Sequence, residues 1–506
     1  MTSITAPESE LGSGAYALCA PEARKYILFA AILASGLGFI DGSMVAIALP
    51  GMRDSLVATL VQAQWISNAY MLTLSSLILV GGAIGDRFGL ARVFAGGIML
   101  FVVASMACAL APTPQFLIGA RGLQGIGAAF MVPGSLALIS RAYPPGERGR
   151  AIGIWAASSA ITAALGPIIG GLALTYGDIH TWRWIFAINL PLGGLALFVL
   201  WTKIERDPPQ PDRGVDLPGG VLATLGLGLV AWGLTGAEHG DLIDAQGVAF
   251  LGAGFIALAA FLWVEARSPH PMVPLELFRN ARFTIANIVS FFIYFSFSTI
   301  AMYLPMAVVG GWGITEIETS AAYAPLSFFI AALSGLSGKT ADKYGPAPLL
   351  VLGSLILAAS YGALSYVAHS QNFWGAVMPA MCLQGIGMAL VVAPLSTAVM
   401  GAVESHKTGT ASGVNNAVTR MAGLISVAVM GSVISVTYGG AEGGGSFGEY
   451  SALESHAYAS NEAFARFTWW ACQLCLIAAF FSLFSGRTPR TPIGAKEKAE
   501  LSSVVS

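Results

Sequence analysis

Two ionisable residues stand inside runs that are otherwise apolar. Asp41 lies in Phe39-Ile40-Asp41-Gly42-Ser43-Met44-Val45, and Arg121 lies in Leu117-Ile118-Gly119-Ala120-Arg121-Gly122-Leu123. A charge in such surroundings is costly unless it meets a partner or a wet cavity. An acid whose burial and cationic neighbour change together can load and release a proton, because both terms act on its ionisation. The chemistry on offer is proton transfer, with Asp41 as carrier and Arg121 as the cation that biases it. Further polar residues in apolar runs are Asn68, Tyr70 and Gln124 early in the chain and Asn415, Asn416 and Arg420 late in it, all candidates for a ligand cavity. The aromatics Phe291, Phe292, Tyr294, Phe295 and Phe297 crowd one stretch, and an aromatic wall suits apolar or cationic ligands.

Other chemistry finds no footing. Cys108, Cys382, Cys472 and Cys475 lie in apolar runs and Cys19 near the amino terminus; none suggests a disulfide framework. Gly338-Lys339-Thr340 imitates the end of a phosphate-binding loop, but the glycine required five positions earlier is Leu333. Gly226-Leu227-Gly228-Leu229-Val230-Ala231 imitates a dinucleotide fingerprint inside an apolar run, where helix packing explains it. No His, Cys and carboxylate cluster has metal-ligand spacing, and no nucleophile has a buried His partner. The expectation is a protein that is not an enzyme, with no cofactor and no use of ATP.

Long apolar helices must position these residues. Of 506 residues, 55% are hydrophobic and 10% charged, against roughly 25% charged in a soluble domain. A soluble fold could not hide that surface, whereas lipid can solvate it. Runs near the ~20 residues that cross a ~30 Å core occur at 26–50, 64–84, 93–112, 115–140, 149–175, 184–203, 217–237, 246–265, 284–308, 320–338, 348–368, 372–402, 409–437 and 466–485. The longest loop on the outer side is then 438–465, Gly-rich and acidic. The first 25 residues carry Glu8, Glu10 and Glu22 and no early basic region, so no cleavable leader is expected.

Basic residues orient the spans. With both termini cytoplasmic, twenty Lys and Arg fall on the cytoplasmic side, three (Arg53, Arg183, Arg466) on the other, and two (Arg121, Arg420) inside spans. One missed span would scramble that bias, so it supports the count of fourteen as well as the orientation. A net charge of −2 gives nucleic acid no purchase.

The chain also repeats itself. Leu123-Gln124-Gly125-Ile126-Gly127 recurs as Leu383-Gln384-Gly385-Ile386-Gly387, Gly149-Arg150-Ala151-Ile152-Gly153 as Gly409-Thr410-Ala411-Ser412-Gly413, and Asp86-Arg87-Phe88-Gly89 as Asp342-Lys343-Tyr344-Gly345. Spans one to six thus map onto nine to fourteen, with spans seven and eight inserted between. The division is a tail at 1–25, a six-helix bundle at 26–205, linkers and the inserted pair at 206–282, a second bundle at 283–486 and a tail at 487–506. Two six-helix bundles related about the membrane normal are the architecture of major facilitator transporters, an all-α membrane fold.

Several motifs resemble that superfamily over nearly the whole chain. Gly82-Ala83-Ile84-Gly85-Asp86-Arg87-Phe88-Gly89 is similar to its signature after span two, although Leu90 and Ala91 replace the usual basic pair and only Arg92 remains. The resemblance implies a conformational latch at the cytoplasmic ends of the halves, built from Gly82, Gly85, Asp86, Arg87, Gly89 and Arg92, with Asp342, Lys343 and Gly345 as its second copy. Leu117 to Ala129 resembles the span-four motif built around Arg121; Met381 stands at the equivalent place in the second half. Thr162 to Gly171 resembles the span-five motif of proton-driven exporters, with Thr162 replacing the leading glycine, and implies a hinge at Gly166, Pro167, Gly170 and Gly171. Phe39 to Pro50, Trp182 to Pro191 and Pro271 to Phe278 resemble the fourteen-span drug:proton antiporter family.

The resemblance implies a proton-coupled multidrug exporter in the inner or plasma membrane, multi-pass and acting as a monomer, with amphipathic small molecules and protons as its partners and the lipid bilayer as its setting. A dedicated exporter of one endogenous metabolite, lipid or siderophore on the same scaffold is the alternative. The span-five motif argues against an importer. A receptor or structural membrane protein has no use for Asp41 and Arg121. No acid lies well inside the second-half spans, which favours monovalent, zwitterionic or neutral substrates.

Overall fold

The computed structural model describes residues 21–204, 214–235, 245–404, 407–442, 444–451 and 453–486. Cys19, Arg206, Pro208, Pro209, Pro211, Arg213, Arg487, Arg490, Lys496, Lys498 and most of both tails lie outside these residues.

Among the described residues, fourteen helices are long and apolar enough to cross a membrane. They are α1 Arg24–Leu56, α2 Leu60–Phe88, α3 Leu90–Ala109, α4 Pro114–Ala142, α5 Gly146–Tyr176, α6 Trp182–Lys203, α7 Leu217–Thr235, α8 Ala245–Glu265, α9 Ala281–Gly311, α10 Glu316–Tyr344, α11 Ala347–Ser370, α12 Phe373–Gly401, α13 Thr408–Gly440 and α14 Glu454–Ser482. Their ends follow local rules. Thr59 with Gln62 and Thr315 with Glu318 form capping boxes that satisfy free backbone amides. Thr113 caps α4, with Pro114 in the first turn.

Packing repeats between the halves. In the first, α2 and α3 pack on α4 and α1 packs on α5; in the second, α10 and α11 pack on α12 and α9 packs on α13. This is the major facilitator arrangement, six helices plus an inserted pair plus six. The inserted helices α7 and α8 pack on each other, with Gly226 against Leu258 and Gly233 against the Gly247 carbonyl. The dinucleotide-like run is therefore a helix–helix contact. α7 then lies against both α2 and α13, over one of the two seams between the halves.

One boundary needs correction. The last helix begins at Glu454, so the loop before it is 441–453 rather than 438–465, and Glu462 and Arg466 belong to α14. The first turns of α14 are too polar for a hydropathy reading. Their polar groups are spent on tertiary contacts: Asn461 accepts from Trp312 Nε1 at 2.7 Å, and His456 Nδ1 lies 2.5 Å from the Tyr438 hydroxyl.

The face that carries the start of α1 and the end of α14 is termed the terminal face. The halves lock together at the other end. Ser320 Oγ donates to the Pro167 carbonyl at 2.7 Å, and the Ile317 amide donates to Thr175 Oγ1 at 3.0 Å. Arg53 at the end of α1 donates to the Phe447 carbonyl and, at 2.9 Å, to Glu449 Oε1. α5 meets mainly the first turns of α10, Glu316–Ala321, and touches little of 324–344. Toward the terminal face Ile154, Ile161 and Leu165 of α5 and Phe328 and Leu336 of α10 are exposed. The α5–α10 seam is therefore shut at one end and parted at the other.

Candidate functional site

Asp41 and Arg121, from α1 and α4, meet in the middle of the first half. Arg121 Nη1 donates to Asp41 Oδ2 at 2.6 Å and to Gln124 Oε1 at 2.5 Å, and Gln124 Nε2 returns to Asp41 Oδ1 at 2.8 Å. Asp41 and Gln124 are 0% exposed and Arg121 2%. The arginine therefore does not snorkel from a helix end. Its Nε donates to the Ile66 carbonyl at 3.1 Å, and its guanidinium lies 4.4 Å from the Tyr70 ring centroid. Ser105 of α3 accepts from Gln124 Nε2 at 2.8 Å and from Asn189 Nδ2 of α6 at 3.2 Å.

Local packing fixes this ring. Gly125 lets α4 touch α2, because a Cβ there would sit 2.4 Å from the Tyr70 carbonyl oxygen. That approach also lets Thr73 Oγ1 donate to the Gly122 carbonyl at 2.8 Å. At the start of α6, Arg183 donates to the carbonyls of Ala109 and Ala111 at 2.9 and 2.8 Å, tying the α3–α4 turn to α6. The tryptophan-rich motif thus braces the scaffold that holds Ser105 and Asn189.

The ring has a chemical consequence. Ionised Asp41 accepts two hydrogen bonds and cancels one buried cation. A proton on Asp41 would turn an acceptor into a donor and leave Arg121 uncompensated in a low dielectric, which is costly. Protonation and side-chain rearrangement are thereby linked. The second half has no equivalent: Met381 replaces the arginine, and Gln384 keeps a buried Oε1 without a hydrogen bond.

The other candidates divide. Gln124 belongs to the acid network rather than to a cavity. Asn68 and Tyr70 are buried, at 0% and 3% exposure, and Asn68 makes no side-chain hydrogen bond. Asn415 donates to Asn287 Oδ1 at 3.1 Å and Ser290 Oγ at 2.7 Å, binding α13 to α9 inside the second half. Asn416 is exposed, and Asn415 and Arg420 are half-buried. Ser105 and Asn189 were missed; a serine and an asparagine inside apolar spans were the available signal.

The loop motif ties α2 to α4. Asp86 Oδ1 accepts from Arg141 Nη2 at 2.8 Å, within the first half. Arg87 lies over the Phe88 ring, Lys343 lies over the Tyr344 ring, and Asp342 and Lys343 are exposed. Gly89 and Gly345 adopt φ of 102° and 85°, so each turn needs its glycine. Of the described ion pairs at this face, Arg24–Glu147 and Arg141–Asp86 lie within the first half, and Lys407–Glu276 ties the start of α13 to the linker before α9. Gly82, Gly85 and Arg92 lie in the same region but form no described bridge between halves.

The span-five motif does meet the second half. Gly166 packs on Ser43 and Gly170 on Met44 of α1, while a Cβ on Gly171 would fall 2.7 Å from the Glu316 carbonyl oxygen of α10. Pro167 leaves its carbonyl to Ser320. The motif lets α5 lie between α1 and α10 where the seam closes.

A duplicated helical bundle, closed at one face and holding a buried acid–base ring in one half, is the design of a membrane transporter. The chain belongs to the Major Facilitator Superfamily, whose model matches residues 31–427. It is 32% identical to the multidrug resistance protein Stp of Mycobacterium tuberculosis, over 80% of this chain and 75% of that one. It is 30% identical to the tetracenomycin C resistance and export protein of Streptomyces glaucescens, over 79% and 74%. Its fold matches a bacterial homolog of the human lysosomal transporter Spinster in its inward-facing and occupied conformation, with a TM-score of 0.66 at 18% identity over 92% and 97% of the two chains. The chain is accordingly an MFS transporter related to drug-efflux proteins, and a multi-pass membrane protein.

Proposed function

We propose that this transporter is a proton-coupled exporter of amphipathic small molecules, a drug:proton antiporter working by alternating access. The terminal face is cytoplasmic, a single chain suffices, and the proton gradient is the only energy source. The buried Asp41–Arg121–Gln124 ring carries the reading, because it couples ionisation to the arrangement of α1 against α4. The cleft between the halves opens on the terminal face and receives substrate there. Rocking the halves opens the opposite face, gives outside protons access to Asp41 and releases the substrate. The resemblance to a named export protein and the span-five motif at the closing seam support the outward direction.

The test is transport in proteoliposomes of purified chain under an imposed pH gradient. Asp41→Asn keeps the shape of the side chain and removes its titration. Proton-driven substrate movement should vanish while substrate binding persists. Undiminished coupling in Asp41→Asn would exclude the reading. A screen of an overexpressor against chemically unrelated compounds, with and without an uncoupler, separates a broad exporter from one dedicated to a single metabolite.

A further inference from the structure

α13 turns Gly409, Ser412 and Asn416 toward open space, and Arg420 follows one turn deeper on the same stripe. Its Nε is enclosed by protein yet has no hydrogen-bond partner. Its ionisable neighbours are two phenols, Tyr70 of α2 and Tyr294 of α9, and among the described residues no carboxylate pairs with it. Tyr70 stacks under Arg121, so one phenol neighbours both Arg420 and the acid network. Asp41 and Arg121 cancel each other. Arg420 therefore leaves this end of the cleft with a net positive charge.

An unpaired guanidinium deep in a membrane protein is expensive, and such groups face a cavity or a ligand. Its planar fork of donors matches a carboxylate or a pair of carbonyl oxygens. α9 supplies the apolar side of such a site, with Tyr294 and Phe297 in edge contact at 6.4 Å between ring centroids and Phe291 a turn away. An aromatic wall by itself would welcome cations. The fixed charge reverses that preference by like-charge repulsion.

We propose that Arg420 is the recognition group of the transporter: it binds an oxygen acceptor (carboxylate, phenolate or carbonyl) on an amphipath whose apolar body lies along α9, and it turns away permanent cations. This rests on the exporter reading and names the substrate class of the same cleft.

Three probes sharing an anthracene body decide it: the carboxylate, the methyl ketone and the trimethylammonium analogue. Binding to the full chain in detergent is read from tryptophan quenching, and proteoliposomes under a pH gradient report movement of the same probes. Wild type should bind the first two and not the third. Arg420→Gln should weaken the carboxylate about 10–100-fold, the range expected for losing a hydrogen bond to a charged group. Arg420→Lys should retain part of the affinity, and Arg420→Glu should admit the trimethylammonium probe. Equal binding of carboxylate and trimethylammonium by wild type, or unchanged carboxylate affinity in Arg420→Gln, overturns the proposal. Should Arg420→Gln fail to fold, the wild-type discrimination between probes decides alone. Binding without proton-driven movement of any probe would overturn the exporter reading and leave the recognition role of Arg420 standing.

Discussion

Arg121 Nη1 lies 2.6 Å from Asp41 Oδ2 and 2.5 Å from Gln124 Oε1, so a single guanidinium nitrogen holds both the acid and the amide that grips the same acid. Three side chains from two helices form a closed ring in which each is hydrogen-bonded to the other two. Removing one member strands another. That property makes the site testable by stability as well as by transport.

Arg121→Met places the residue of the second repeat, Met381, in the first. It leaves Asp41 buried without its cation and should cost about 3–5 kcal/mol, as breaking a buried pair does. Adding Asp41→Asn should return most of that loss, since both charges are then gone. Thermal unfolding of the purified single and double variants in detergent measures the cycle. Two losses that simply add would show that the pair is not coupled.

Gly171→Val should jam the seam between α5 and α10. The new side chain meets the Glu316 carbonyl and Ser320, where there is no room for even a Cβ, and overpacking of this kind costs about 1–3 kcal/mol. The state closed on the opposite face pays that cost, so the open state should gain population. A cysteine introduced at Thr175, in a background lacking the native cysteines, should react faster with an impermeant maleimide added from that face. An unchanged rate would mean that Gly171 is no part of the closure.

Arg53 and Glu449 should differ in weight although they form one ion pair. Arg53 is 3% exposed and also serves the carbonyls of Phe447 and Ala58, whereas the Glu449 side chain is 47% exposed. Exposed pairs contribute about 0–1 kcal/mol. Glu449→Gln should therefore leave closure nearly intact, while Arg53→Ala should loosen it. The maleimide assay compares them; equal effects would place the lock in the ion pair rather than in the carbonyl contacts.

The inserted helices should prove structural rather than catalytic. Trp65 Nε1 donates to Thr235 Oγ1 at 3.1 Å and Thr224 Oγ1 to Ser76 Oγ at 2.9 Å, fastening α7 to α2. Replacing both threonines by valine should cost about 1 kcal/mol per bond and raise amide exchange in 217–235. Substrate binding should not change; altered probe selectivity would count against this assignment.

Much of the fold was legible because lipid imposes one length and one polarity on every span, and because the halves share motifs. The acid–base ring was legible for the same reason: Asp41 and Arg121 are conspicuous in apolar runs. Ser105 and Asn189 were not, since short polar side chains are common in membrane helices and only the fold shows which ones converge. The start of α14 escaped because His456 and Asn461 look like loop residues until Tyr438 and Trp312 are placed beside them. Arg53 looked like an outer-loop charge, yet its carbonyl partner is Phe447, far along the chain. The loop after α2 was legible as a motif, but the Arg141 that meets its Asp86 was not, because it sits at the far end of α4.

The placement of α7 carries a mechanical consequence. Side-chain hydrogen bonds fasten it to α2, but its face toward α13 is smooth, with Leu227 and Ala231 on Leu424 and Ala428. Toward the opposite face, Ser432 Oγ donates to the Leu234 carbonyl and grips α7 there. Such an element behaves as a bearing. Polar contacts fasten it to one half, and an apolar face meets the other. The molecule thus has a hinge side and a mouth side, and the bare α5–α10 seam is the mouth.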